Sequence, residues 1–231
     1  MIDEHPRSLA PVIAIRRPAK RGIVRLHPAL AGRYLSLVAA LVPVVEGTLS
    51  GRVLANRVAA ASVDPPVVRL HRWRIERARF SRRLVGLTRD AGALVFIDVR
   101  RCYASIAPEV VGGRLAEIGI DRGTSDGVAA FLESLRRYGV EGLPVGPTPS
   151  AVLANAVLGS LDRVLESSGV AHLRWVDDVV ASVAGPEDAE ELLALIDGSL
   201  ARLGLERNVG KTRIVVDPAS VREGFSPSGV D

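Results

Sequence analysis

Leu173-Arg174-Trp175-Val176-Asp177-Asp178-Val179-Val180-Ala181-Ser182-Val183 decides how this chain folds: two short apolar runs flank a pair of acids. The β-branched and aromatic content predicts two short strands around a turn. A second stretch, Leu94-Val95-Phe96-Ile97-Asp98, is an apolar run that ends on an acid and reads as a buried strand. Burying a carboxylate costs several kcal/mol unless something compensates it. Arg100, Arg101 and Arg174 are near in sequence, but no lysine or histidine adjoins either site. The economical compensator is a divalent cation, and hard oxygen donors specify Mg²⁺ or Mn²⁺. Zinc is disfavoured, because one cysteine and four scattered histidines give no ligand spacing. Neighbouring strand residues point to opposite faces. Asp177 and Asp178 therefore reach one site together only at a hairpin turn; otherwise one is peripheral. Two-metal phosphoryl transfer is the chemistry that such an arrangement serves.

Helical patterns follow the first strand at about 107–118 and 124–138. The loop Gly142 to Pro147 leads into a third helix, about 149–167, with Thr148 expected as N-cap and Pro149 at its first position. Residues 186–203 carry Leu192, Leu193, Ile196, Leu200 and Leu203 on one side of an amphipathic helix. Ile214-Val215-Val216 is a last strand. The order strand, helices, hairpin, helix, strand gives an α+β class, an antiparallel sheet with helices packed on one face.

Ahead of this lies a different texture. Val12–Ile15 and Ile23–Leu26 read as a hairpin with a basic connection. Residues 31–46 are helical with Pro43 as kink or boundary, and Pro65-Pro66 marks a break. Arg69 to Arg89 carries eight arginines, on a helix expected over about 72–88. Residues 1–101 hold 19 basic and 7 acidic side chains, net +12, against −8 for 102–231. That asymmetry points the first half at a polyanion, with phosphate-backbone contact by the arginine-rich helix; a solvated helix face is the plain alternative. Aromatic residues are 4% of the chain, which argues against a base-stacking platform.

At 231 residues, 48% hydrophobic and 24% charged, the chain can bury a core and is not wholly disordered. A single cysteine, Cys102, excludes an internal disulfide framework and suits a reducing compartment. The acidic start lacks a secretory pattern, and the longest apolar run, Tyr34 to Val45, is too short to span a bilayer. The expectation is a cytoplasmic protein with no membrane partner.

Phe96 to Ile106 resembles motif A of reverse transcriptases. Gly142 to Ser150, continuing through Asn155 to Asp162, resembles motif B, Arg174 to Val180 motif C, and Leu203-Gly204-Leu205 with Asn208, Lys211 and Thr212 motif D. The four stand in family order across about 94–216. The wording of motif B is most similar to group II intron-like, retron and antiphage-defence members. The resemblance implies a right-hand polymerase with a basic fingers region over 1–90, a palm over 91–217 (part of 107–142 belonging to the fingers), and a flexible tail over 218–231. It implies RNA-directed DNA synthesis on an RNA template from a nucleic-acid primer with dNTPs. Asp98, the Val99 carbonyl, Asp177 and Asp178 would hold two Mg²⁺ (or Mn²⁺) ions. Tyr103 would be the steric gate selecting dNTPs, Gly146 would let the backbone approach the nucleotide, and Lys211 would be a general acid. Arg21 and Arg25 would grip the triphosphate.

Two departures stand out. Many relatives carry Gln or Thr where Val145 stands, which puts nucleotide affinity or fidelity in question. No clear primer grip or thumb follows motif D, so a thumb that is absent or truncated, low processivity, and a partner protein or structured RNA supplying the clamp are expected. Template-independent or protein-primed polymerisation on the same fold, and an RNA-binding module without turnover, stay open.

Overall fold

The computed structural model describes residues 12–15 and 22–223. Its centre is a four-stranded antiparallel sheet of β5 (Ala93–Asp98), β6 (His172–Trp175), β7 (Asp178–Val183) and β8 (Arg213–Val215), in the order β6-β7-β5-β8. The register pairs Phe96 with Val180 and Asp98 with Asp178. Opposed residues share a face, so the pleat sorts the strands into two sets. Val95, Ile97, Val99, Val179 and Ala181 enter the main core. Leu94, Phe96, Leu173, Trp175 and Val180 form a second, smaller cluster.

The main core is built on α7 (Thr148–Ser167), which is apolar nearly all round and correspondingly buried. Around it pack α1 (Pro28–Ala39), α2 (Val42–Thr48), α5 (Pro108–Glu117) and α8 (Asp188–Ala201). α5 packs against α6 (Arg122–Arg136), whose N-cap Asp121 accepts from the Thr124 N–H. Pro43 does mark a boundary: α1 and α2 meet there at 54°.

Helices dominate one face of the sheet, but the other is not bare. The arginine-rich helix α3 (Trp73–Leu87) sets Phe80 and Leu84 into the second cluster. Phe80 meets Trp175 edge-on with ring centroids 5.6 Å apart, a pairing worth roughly 0.5–1.5 kcal/mol beyond area burial. Its outer side exposes Arg72, Arg74, Arg79, Arg82 and Arg83 together with Trp73.

Three local expectations change. α7 starts at Thr148 with Pro147 as its N-cap, because Pro147 already holds the extended conformation that a cap needs (φ −63°, ψ 133°). Pro65-Pro66 is not a break between regions: Val58–Val63 (β3) and Pro66–Leu70 (β4) pair as a hairpin across it. The run Val-Ala-Ala-Ala-Ser-Val hid β3, since its small exposed residues show no alternation. The stretch from 218, expected as a flexible tail, is ordered over its first six residues, and 224–231 lie outside the described residues. Pro218–Glu223 is a 3-10 helix, with Val221 packed against the second cluster beside α3.

The expected first hairpin forms, β1 (Val12–Ile15) against β2 (Ile23–Leu26). No single helix among the described residues is long and apolar enough to cross a membrane.

Candidate active site

The turn between β6 and β7 is made by Val176 and Asp177, since Trp175 pairs with Asp178. Asp177 is thus a turn residue and Asp178 the first residue of β7, directly opposite Asp98. Their positions resolve the alternation problem, because the turn releases Asp177 from the pleat. All three acids are buried, with 4%, 5% and 9% exposure for Asp98, Asp177 and Asp178. The Val99 N–H donates to the Asp177 carbonyl at 3.2 Å, tying the turn to the end of β5.

Val176 adopts φ +56°, the left-handed region that a β-branched residue avoids. Beneath it lies Arg174, wholly buried. Its Nη1 donates to the Val176 carbonyl at 2.8 Å and to Asn155 Oδ1 at 2.9 Å. Its Nε and Nη2 are spent on Asp162, at 2.7–2.9 Å. Burial pushes the Asp162 carboxyl up, but Arg174 and His172 overcome this and hold it below the usual carboxylate range. Asn155 Nδ2 in turn donates to the carbonyls of Ala55 and Asn56.

Asp98 has its own partners. Asn208 Nδ2 donates to Oδ1 at 2.7 Å and Lys211 Nζ to Oδ2 at 3.1 Å. Both come from one segment, in which the Asn208 N–H also donates to the Asp98 carbonyl and Val209–Lys211 forms a 3-10 turn. Asp98, Asn208 and Lys211 reach the wall of a cavity of about 630 Å³, together with Val99, Tyr103, Gly146 and Thr148. A smaller cavity of about 300 Å³ adjoins Asp98, Asp178, Lys211 and Arg213. Asp98 therefore sits between the two.

Tyr103 lies on the short helix α4 (Cys102–Ser105), and its hydroxyl oxygen accepts from Asn56 Nδ2 at 3.4 Å. Its carbonyl accepts from the Leu143 N–H at 2.7 Å. That contact leaves room for glycine alone at 142: a Cβ there would stand 2.5 Å from the Tyr103 carbonyl oxygen, and φ is +58°. Gly146, φ +119°, does permit a close approach, although the nearest neighbour is Ile23 of β2, 2.9 Å from where a Cβ would be. Beside it the Val24 N–H donates to the Val145 carbonyl at 2.8 Å. The backbone of Val145 thus docks the loop onto the first hairpin.

Of the expected site residues, Asp98, Val99, Tyr103, Gly146 and Lys211 share the larger cavity. Asp178 adjoins the smaller one. Arg25 is exposed on β2 and lines neither cavity. Arg21 lies outside the described residues. Asn56, Asn155 and Asp162 have structural partners that no spacing predicts, but Asn155 and Asp162 gave one signal. They are polar residues inside an otherwise apolar helix, and such residues need a buried partner.

The donors suit a hard divalent cation in chemistry, being carboxylates without nitrogen or sulfur. They do not stand assembled into a shell. Among the described residues no group of three or more His, Cys, Asp or Glu is placed to hold a metal ion. Both oxygens of Asp98 are engaged by Asn208 and Lys211. Lys211 Nζ occupies the position on Oδ2 that a cation would contest.

A sheet of this topology, with acids at the end of one strand and in the facing turn, is the palm of a nucleotidyl polymerase. The family described as Reverse transcriptase (RNA-dependent DNA polymerase) matches residues 49–223. The chain belongs to that family. Members generally use divalent metals such as Mg²⁺. Among solved structures the chain is similar to apo telomerase from Candida tropicalis truncated from its C-terminal domain, with a TM-score of 0.50 and 12% identity. The alignment covers 88% of this chain and 52% of that one, so this chain spans about half the telomerase chain's length. At that identity the likeness shows the fold. No curated protein matches the sequence.

Proposed function

We propose that the chain is the catalytic core of an RNA-directed DNA polymerase, with fingers over about 1–90 and a palm over about 91–217. The observation that carries this reading is the pairing of Asp98 with Asp178 across β5 and β7, with Asp177 in the adjoining turn, beside a cavity of nucleotide size lined by Tyr103. In the reaction the primer 3′-hydroxyl oxygen bonds to the α-phosphorus of a dNTP. The bond to the bridging oxygen breaks, and pyrophosphate leaves.

Asp98, Asp177 and Asp178, with the Val99 carbonyl, are the groups that would hold two Mg²⁺ ions. When bound, the ions supply charge neutralisation and polarisation of the attacking and leaving oxygens. Tyr103, whose hydroxyl accepts from Asn56, is the aromatic at the cavity wall against which a ribose 2′-hydroxyl would collide. The N-terminus of α7 stands at the cavity wall at Thr148, where the positive end of the helix dipole favours phosphate. Lys211 Nζ is within reach of the reacting centre through Asp98 and can pass a proton to the departing pyrophosphate oxygen. The exposed arginines of α3 offer a face for template or primer phosphates.

A second reading, an RNA-binding module without turnover, draws on one observation: Lys211 and Asn208 already satisfy Asp98. The deciding experiment is Mg²⁺-dependent dNTP incorporation on a primed RNA template, with a no-template control for untemplated addition. The polymerase reading predicts incorporation that vanishes in Asp177→Asn/Asp178→Asn. Equal activity in the two proteins sinks the catalytic assignment. Salt-dependent RNA binding without extension by the wild type selects the binding module.

A further inference from the structure

The buried Asp162–Arg174 pair asks for an account beyond stability, because a buried ion pair is often no better than well-packed apolar residues of the same volume. Arg174 makes more contacts than neutralising Asp162 requires. Two of its nitrogens serve Asp162, while Nη1 is divided between Asn155 Oδ1 and the Val176 carbonyl. Val176 is where a clamp is needed. Among the described residues only Asn56, Arg101 and Val176 hold positive φ without being glycine, and of these Val176 alone is β-branched. A β-branched residue persists there only when its surroundings over-determine it. The next residue along is Asp177, whose carbonyl receives the Val99 N–H beside Asp98.

The structure assigns Arg174 a positioning role: it holds Val176 in the left-handed conformation and so fixes the acid-bearing turn against the end of β5. Through Asn155 the same guanidinium reaches the Ala55 and Asn56 carbonyls, so the turn and the Asn56 wall of the larger cavity are held from one point. The turn's catalytic importance rests on the polymerase reading above. Its geometry does not, and can be followed in metal-free protein.

The probe is hydrogen exchange at the Val99 amide, measured by NMR without metal or nucleotide. Lysine at 174 keeps a charge for Asp162 but cannot serve Asn155 and Val176 in separate directions. Arg174→Lys is expected to lower Val99 protection by about tenfold or more while leaving the Leu158 amide, deep in α7, unchanged. Glycine takes φ +56° without penalty. Adding Val176→Gly to Arg174→Lys is therefore expected to restore most of the Val99 protection. Wild-type protection in Arg174→Lys, equal losses at Val99 and Leu158, or no recovery on adding Val176→Gly would each overturn the assignment. If Arg174→Lys fails to fold, a folded Arg174→Lys/Val176→Gly protein supports it and an unfolded one overturns it. A wild type that incorporates no dNTP defeats the polymerase reading instead, and leaves the exchange result standing.

Discussion

Two aspartate–base pairs lie on either side of the same turn. Asp162 meets Arg174 in the interior, with three contacts of 2.7–2.9 Å and both side chains buried. Asp98 meets Lys211 at the cavity wall through one contact of 3.1 Å, and the lysine side chain is 45% exposed. A planar guanidinium saturated by fixed acceptors is a rigid joint, whereas a single ammonium on a flexible stem is readily exchanged. The first pair therefore shapes the turn, and the second stands where another cation or a phosphate can displace it. On the polymerase reading the contrast separates groups that build the site from groups that would work in it.

The largest effect should come from the working side. Asp177→Asn/Asp178→Asn is expected to reduce Mg²⁺-dependent dNTP incorporation by on the order of 10³-fold or more, since on the polymerase reading the charges that would hold the metal ions disappear. Its melting temperature should stay near that of the wild type, and a large fall would move these acids to the building side. Removing the rigid joint has the opposite signature. Asp162→Ala leaves Arg174 buried without its counter-charge and should cost about 3–5 kcal/mol in urea denaturation.

The same joint predicts a pH dependence. With the folded Asp162 value lowered, its contribution is full above the unfolded value of about 3.9. It is lost as pH falls through the lowered folded value. Denaturation midpoints measured from pH 6 to 2 should drop along that acid limb, and Asp162→Asn should flatten it. An unchanged limb in that variant would place the acid sensitivity elsewhere.

Smaller changes test the cavity. Tyr103→Ala should raise ribonucleotide relative to deoxyribonucleotide incorporation by about tenfold or more in single-nucleotide competition, the scale of one lost steric contact. An unchanged ratio would return Tyr103 to the role of a wall residue. Lys211→Met should alter stability by less than about 1 kcal/mol, because the lysine is 45% exposed and Asn208 still donates to the buried Asp98. It should also tighten Mn²⁺ binding to the metal-free protein, read by electron paramagnetic resonance. Weaker binding would mean that Lys211 helps to assemble the carboxylates rather than to compete for Asp98.

Much of the site was legible where an apolar run met a charge. Asp98 and Asp177-Asp178 stood out because acids rarely end or interrupt buried strands, and the structure indeed makes them strand-end and turn residues. The arginine-rich helix was equally plain, and forms over Trp73–Leu87. Less legible were features that depend on remote partners. β3 escaped because alanine carries no periodic signal. The close neighbour of Gly146 is a residue more than a hundred positions earlier in the chain. Asn155, Asp162 and Arg174 lay inside the quoted motifs, yet their mutual bonds followed from no spacing.

The amino-acid order alone determined the strands and helices that matter, the acids, and the family, because local periodicity and short motifs are properties of neighbouring residues. Only the folded chain decided that Asp178 rather than Asp177 stands across from Asp98, that Lys211 returns to Asp98, and that one buried guanidinium holds the turn. Those are contacts between distant segments, fixed by strand register and by the need of every buried polar group for a partner.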